Sequence, residues 1–91
     1  MTQTTYADRM RARLTEALAP TELEIEDQSE QHRGHGGYRE GGETHFHVSI
    51  RSAAFDGLNR VQRQRLVHKA VAAELEERVH ALSLTLKGAA E

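Results

Sequence analysis

The stretch "HFHVSIRSAAFDGLNRVQRQRLVHKAVAAELEERVHALSLTLK", residues 45–87, has a strand pattern at each end and a helix pattern between them. Apolar and polar side chains alternate in residues 45–51, which predicts a strand with one buried face. The apolar members of this strand are Phe46, Val48 and Ile50. A second alternation in residues 79–87 predicts a last strand, with His80 at its entrance and on the face of its leucines.

The segment between these two strands predicts a turn and then a helix. The turn, "SAAFDG" at residues 52–57, is expected to bury Phe55. From Asn59 to about Glu76, apolar side chains recur at helical intervals. They are Val61, Leu66, Val67, Ala70, Val71 and Leu75. This helix carries the chain from one strand to the next, and such a crossover predicts that the two strands are parallel.

The first half of the chain predicts one helix, one strand and a long loop. Thr5, with Asp8 three residues later, resembles a helix N-cap, and Pro20 ends the helical pattern. "TELEIED", residues 21–27, alternates apolar residues with acids and predicts a half-buried strand. Residues 28–42 have no periodicity and hold five of the seven glycines, which predicts a flexible loop. The element order α-β-β-α-β predicts a single α+β domain, with a three-stranded mixed sheet and helices on one face.

Composition excludes several classes of protein. A chain of 91 residues with 37% hydrophobic and 29% charged residues is typical of one globular domain, too small to enclose a deep substrate cavity. No apolar run is long enough to span a membrane, and the first residues lack the apolar core of a secretory signal, so we expect a cytoplasmic protein. The absence of cysteine excludes disulfides and leaves imidazole and carboxylate as the only strong metal ligands of the chain. No nucleophile or phosphate-loop pattern is present, so we expect no enzymatic activity.

Histidines are concentrated in residues 32–48, which hold four of the six in the chain. This pattern is compatible with a metal site, a nucleic-acid-binding loop or a polar surface. A zinc site is disfavoured, because the histidine spacings match no finger pattern and no thiolate is present. His80, taken alone, is also compatible with a hydrogen-bonded polar residue at the end of the sheet.

Basic residues are concentrated in residues 51–69, where Asp56 is the only acid. Most of them fall on the second predicted helix, namely Arg60, Arg63, Arg65 and Lys69. Such a segment can contact nucleic-acid phosphates or an acidic protein surface, although a solvated helix face is the more common interpretation. "GHGG", residues 34–37, has the GxxG spelling of a nucleic-acid-binding KH loop, but it falls between two strands and not between two helices.

The run "GETHFHVSIRSAAFDGLNRVQRQRLVHKAVAAELEERVHALSLTLKG", residues 42–88, resembles the BolA-like family. The family pattern is "SETHFxVxIxSxxFxGxxxxxRxRxVxxxLxxELxxxVHALxLxxxT", and its elements occur in this order and spacing here. The resemblance covers essentially the whole chain and implies a fold like the class II KH domain. The chain departs from the family at "RQR", residues 63–65, where the family often has a central histidine.

The resemblance also implies a partner and a cofactor. BolA-like proteins form a heterodimer with a monothiol glutaredoxin and share a bridging [2Fe-2S] cluster, for which the glutaredoxin and glutathione provide thiolates. The resemblance assigns one ligand to His80 and the other to a loop residue, here His32, with His35 and His45 as alternates. Because the chain lacks cysteine, it is expected to be of the histidine type, similar to BolA1.

These expectations predict an adaptor in iron-sulfur cluster trafficking or in iron and redox regulation. The isolated protein is expected to be a monomer or a weak dimer that binds no stable cluster, because it lacks thiolates. The alternative prediction is a transcription regulator that binds DNA through the KH-like fold and the basic second helix.

Overall fold

Three α-helices and a three-stranded sheet make up the computed structural model, which describes residues 5–28 and 45–91. The helices are α1 (Tyr6–Leu18), α2 (Arg60–Ala70) and α3 (Ala72–Glu77). The strands are β1 (Glu22–Asp27), β2 (His45–Arg51) and β3 (Ala81–Lys87), and a short 3-10 helix, Ala53–Phe55, precedes α2. The predicted α+β fold with its mixed sheet and helices on one face is confirmed.

The ends of α1 are those that the sequence predicts. The Thr5 hydroxyl accepts a hydrogen bond from the Asp8 N–H at 3.0 Å, and the Asp8 carboxylate accepts one from the Thr5 N–H. At the other end, Ala19 adopts a left-handed conformation with φ of 44°, directly before Pro20. Three side chains of α1 are buried against the sheet, namely Met10, Leu14 and Leu18.

The sheet has the order β1-β2-β3, with β1 antiparallel and β3 parallel to the central strand. The apolar side chains of β2 are buried on the helix-covered face, as predicted, and those of β1 and β3 lie beside them in register. The other face carries polar side chains from all three strands and is covered by no described helix. The sheet therefore has one core face and one outer face.

The second helix is interrupted, which the periodicity did not predict. Instead of one helix from Asn59 to about Glu76, the structure has α2 and α3 separated at Val71, whose φ and ψ are −108° and 23°. Val71 is fully buried, and its N–H still donates to the Val67 carbonyl at 3.1 Å. Helical spacing continues across the break, so the hydrophobic pattern alone cannot detect it.

The connection between β2 and α2 is fixed by two buried side chains. Phe55 is fully buried, as predicted. Ser52, also fully buried, donates its hydroxyl to the Leu18 carbonyl at 2.5 Å and accepts the Ala54 N–H at 3.1 Å. The turn is therefore attached both to the core and to the end of α1.

No helix in residues 5–28 and 45–91 has the length and apolar character needed to cross a membrane.

Candidate functional site

His80 lies in the short connection between α3 and β3, and it is exposed. The Glu74 carbonyl accepts the N–H groups of both Arg78 and Val79, at 3.1 and 3.0 Å, which ends α3. Val79 is buried in the core, whereas His80 and Ala81 are exposed. The predicted position of His80 at the entrance of the last strand is therefore observed, but its side chain does not share the partial burial of the leucines of β3.

The His80 end of the sheet is also the end at which residues 29–44 join the described structure. His45 pairs in register with Ala81, the residue that follows His80. The Gln28 N–H donates to the His45 carbonyl at 2.7 Å. Residues 29–44 therefore begin and end at the same end of the sheet as His80, with His45 beside β3 and Gln28 on the far side of β2.

Of the three proposed loop ligands, the structure describes only His45. His45, the second alternate, is half-buried at the start of β2. His32 and His35 lie outside the described residues, as do the predicted flexible loop after Gln28 and the "GHGG" motif. Within residues 5–28 and 45–91, no group of three or more histidine, aspartate or glutamate side chains is arranged to hold a metal ion.

His47, on the outer face, bridges β2 and β3. Its Nδ1 lies 2.6 Å from the Ser83 hydroxyl, and its Nε2 lies 3.1 Å from the Thr85 hydroxyl. Both ring nitrogens are thus engaged in cross-strand hydrogen bonds, which stabilise the parallel pairing.

An ionic cluster that sequence reasoning missed holds α3 against α1. The Glu74 side chain is fully buried, and Arg9 Nη2 lies 2.9 Å from its Oε2. Arg13 Nε lies 2.8 Å from Oε1 of the same carboxylate. Arg9 also pairs with Glu77 at 2.5 Å and stacks over the Tyr6 ring at 4.7 Å. The hydrogen bond from Arg9 lowers the pKa of Glu77, and the same contact raises the pKa of Arg9.

A signal for this cluster was present in the sequence. Glu74 follows Val71 by three residues and Val67 by seven, so helical spacing places it on the buried side. Arg9 and Arg13 are four residues apart and occupy neighbouring positions on α1. Because Glu74 also accepts the backbone N–H groups that end α3, the cluster fixes the connection that presents His80.

The four basic residues predicted to contact nucleic acid are in different environments. Arg60, Arg65 and Lys69 are exposed on α2. Arg63 is only 13% exposed and pairs with Glu91 at 2.6 Å. Its guanidinium also donates to the Leu58 and Leu86 carbonyls, at 3.0 and 3.3 Å. The hydrogen bonds that Arg63 donates to Glu91 raise the pKa of Arg63, which is thus engaged within the protein.

A family model described as "BolA-like protein" matches residues 14–91. The chain belongs to the BolA-like family. The match and the fold confirm the family that the sequence resembles.

BolA1 proteins and a BolA domain are among the similar proteins. The chain is 48% identical to Arabidopsis thaliana "Protein BOLA1, chloroplastic" over 87 residues, which cover 93% of this chain and 54% of that protein. It is 42% identical to mouse BolA-like protein 1, covering 90% of this chain and 57% of that protein. It thus spans little more than half of these two relatives.

A solved structure of the BolA domain of SufE1 from Arabidopsis thaliana superposes with a TM-score of 0.85. Its sequence is 42% identical, and the match covers 98% of both chains. The full-length relative, "SufE-like protein 1, chloroplastic/mitochondrial", is matched over only 24% of its length. The organelle names in these relatives do not bear out a cytoplasmic location, which stays a prediction for this chain.

Proposed function

We propose that this BolA-like protein is an adaptor that binds a monothiol glutaredoxin and shares a bridging [2Fe-2S] cluster with it. Its role is in iron-sulfur cluster trafficking or in iron and redox regulation. The observation that carries the proposal is the exposure of His80 at the end of the sheet where residues 29–44 begin and end.

In this proposal the described residues contribute one exposed ligand, His80, to a cluster site. Imidazole is a suitable ligand for iron, and an exposed His80 can reach iron held by a partner without any unfolding of the core. No complete set of metal ligands is formed within residues 5–28 and 45–91. A site of this kind needs the thiolates of glutaredoxin and glutathione, because the chain has no cysteine.

The second ligand of the proposal is His32, with His35 and His45 as alternates. His32 is four residues from Gln28, so the extended chain between their Cα atoms spans at most about 14 Å. His45 is the first residue of β2, next to Ala81 in register. All three candidates are thus tied by the chain to the end of the sheet that His80 occupies.

His80 and its environment have separate tasks in this proposal. The His80 imidazole would hold iron by supplying an electron pair to it. Buried Val79 and the two backbone hydrogen bonds to the Glu74 carbonyl restrict the position of the connection. The bridging cluster is the cargo that the heterodimer carries.

The experiment is to co-express the chain with a monothiol glutaredoxin, purify without oxygen and record visible circular dichroism. The proposal predicts a one-to-one heterodimer whose cluster spectrum differs from that of the glutaredoxin homodimer. His80→Ala should shift this spectrum toward that of the glutaredoxin, whereas His68→Ala, at another exposed histidine, should not. Separate elution of the two proteins with an unchanged glutaredoxin spectrum would contradict the proposal.

DNA binding is the second candidate, favoured by the exposure of Arg65 and Lys69 one turn apart on α2. Arg63 contributes less than the sequence predicts, because Glu91 pairs with its guanidinium. Fluorescence anisotropy with a labelled duplex distinguishes the candidates. Phosphate contacts by α2 predict binding that weakens with salt and with Arg65→Gln, and no change with His80→Ala.

A further inference from the structure

Within residues 5–28 and 45–91, β3 is at the edge of the sheet, and Arg63 of α2 lies at its unpaired side. The Ser52 N–H donates to the Lys87 carbonyl at 3.0 Å, which shows that the backbone groups of Lys87 point toward β2. In a parallel ladder, alternate residues point to opposite sides. The N–H and carbonyl groups of Leu82, Leu84 and Leu86 therefore point away from the sheet.

One end of this free edge is already closed. Arg63 donates to the outward carbonyl of Leu86 at 3.3 Å. Among the described residues, no hydrogen bond engages the outward groups of Leu82 and Leu84. Unpaired groups on an exposed strand edge are a template for pairing with another strand.

A groove of about 470 Å³ runs between this edge and the first turns of α2. Its lining consists of Leu58, Arg60, Arg63, Gln64, Leu84, Thr85 and Leu86. The leucines of β3 remain half-buried, whereas the apolar side chains of β2 are buried. An added strand would cover these leucines and place alternate side chains toward α2.

A carboxylate of the chain itself, that of Glu91, already binds an arginine that lines the groove. Each carboxylate oxygen of Glu91 lies 2.6 Å from one terminal nitrogen of Arg63, so the ion pair is bidentate. This contact, together with the backbone of Gly88, lowers the pKa of Glu91 to about 2. Arg60, also on the groove, is exposed. The basic wall therefore favours an acidic occupant.

We propose that the free edge of β3 and this groove bind an extended acidic segment of a partner protein. The segment adds as a fourth strand, bonds the outward groups of Leu82 and Leu84, and directs carboxylates toward Arg60 and Arg63. Glu91 competes with it for Arg63. The residues of this surface are not among the proposed cluster ligands. An experiment that contradicts the binding of an acidic segment therefore leaves the proposed cluster function untouched, and the reverse also holds.

The test uses the intact 15N-labelled chain and a heptapeptide that alternates valine with glutamate. Amide hydrogen exchange of Leu82 and Leu84 should slow on binding, because their N–H groups gain a partner. The inward N–H of Ser83 is already in the ladder and serves as an internal reference. A peptide with lysine in place of glutamate should bind about tenfold more weakly, because the arginines then repel it.

Three variants test which charged side chains contribute to peptide binding. Arg60→Gln should weaken binding of the glutamate peptide severalfold, whereas Arg65→Gln, on the same helix outside the groove lining, should not. Glu91→Gln should strengthen binding by releasing Arg63. Equal binding of the two peptides, unchanged exchange at Leu82 and Leu84, or protection of these amides by single-stranded oligothymidine alone would overturn the proposal.

Discussion

Removing the two arginines that pair with Glu74 should destabilise the protein more than removing Glu74 itself. The Glu74 side chain is fully buried, whereas those of Arg9 and Arg13 are 29% and 49% exposed. The Arg9→Met/Arg13→Met variant leaves a buried carboxylate without a cation. Glu74→Met leaves two arginines that regain water, and it fills the site with an apolar side chain of similar length.

The expected magnitudes follow from this asymmetry. An uncompensated charge at Glu74 costs about 3–5 kcal/mol, whereas replacement of a buried ion pair by apolar side chains is often neutral. We therefore expect the double arginine variant to lose about 3 kcal/mol or more of unfolding free energy. For a domain of this size, each kcal/mol corresponds to about 4–8 °C in Tm.

The assay is urea denaturation followed by far-ultraviolet circular dichroism at pH 7. The triple variant Arg9→Met/Arg13→Met/Glu74→Met should be more stable than the double arginine variant, because it removes the buried charge. Glu77→Gln is the control for the separate contact of Arg9 with Glu77. A double arginine variant as stable as Glu74→Met, or a triple variant no better than the double, would refute the reasoning.

Three further predictions concern the core and the chain end. Phe55→Ala should cost about 3–5 kcal/mol in urea denaturation, because it opens a cavity at a fully buried ring, and a loss below about 1 kcal/mol would show that the turn contributes little. Gly88→Ala should lower Tm, because its Cβ would clash with the Asp56 carboxylate that accepts the Ala89 N–H, and an unchanged Tm would exclude that close approach. Glu91→Gln should also lower Tm at pH 7. Because the folded-state pKa of Glu91 is lowered to about 2, its contribution is complete above the unfolded-state pKa and disappears as pH falls through 2, so the two Tm values should converge there and a constant difference would contradict the pairing.

Most of the fold follows from local patterns in the sequence. The alternation of apolar and polar residues in 45–51 predicts β2, because successive side chains of a strand point to opposite faces and only one face can be buried in the core. The ends of α1 are predicted by Thr5 with Asp8 at its start and by Pro20 after its end. Side-chain capping and the proline ring both act on the backbone within a few residues. The mixed sheet follows from the helical crossover before β3.

The remaining features depend on contacts between distant residues. The break at Val71 leaves the helical spacing of buried residues intact, so periodicity predicts a single helix. Arg63 belongs to the predicted basic surface, yet Glu91, 28 positions away, neutralises it. The exposure of His80 depends on where α3 ends, which the backbone bonds to Glu74 determine.

Histidine ligation can be measured by pulsed electron paramagnetic resonance of the reduced heterodimer. The chain carries 15N-labelled histidine, and the glutaredoxin is unlabelled, so every 15N coupling to the cluster arises from this protein. Coordination by His80 predicts strong imidazole 15N couplings that lose one component in His80→Ala and remain unchanged in His68→Ala. A reduced heterodimer cluster without any 15N coupling would contradict a role for this protein as a provider of cluster ligands.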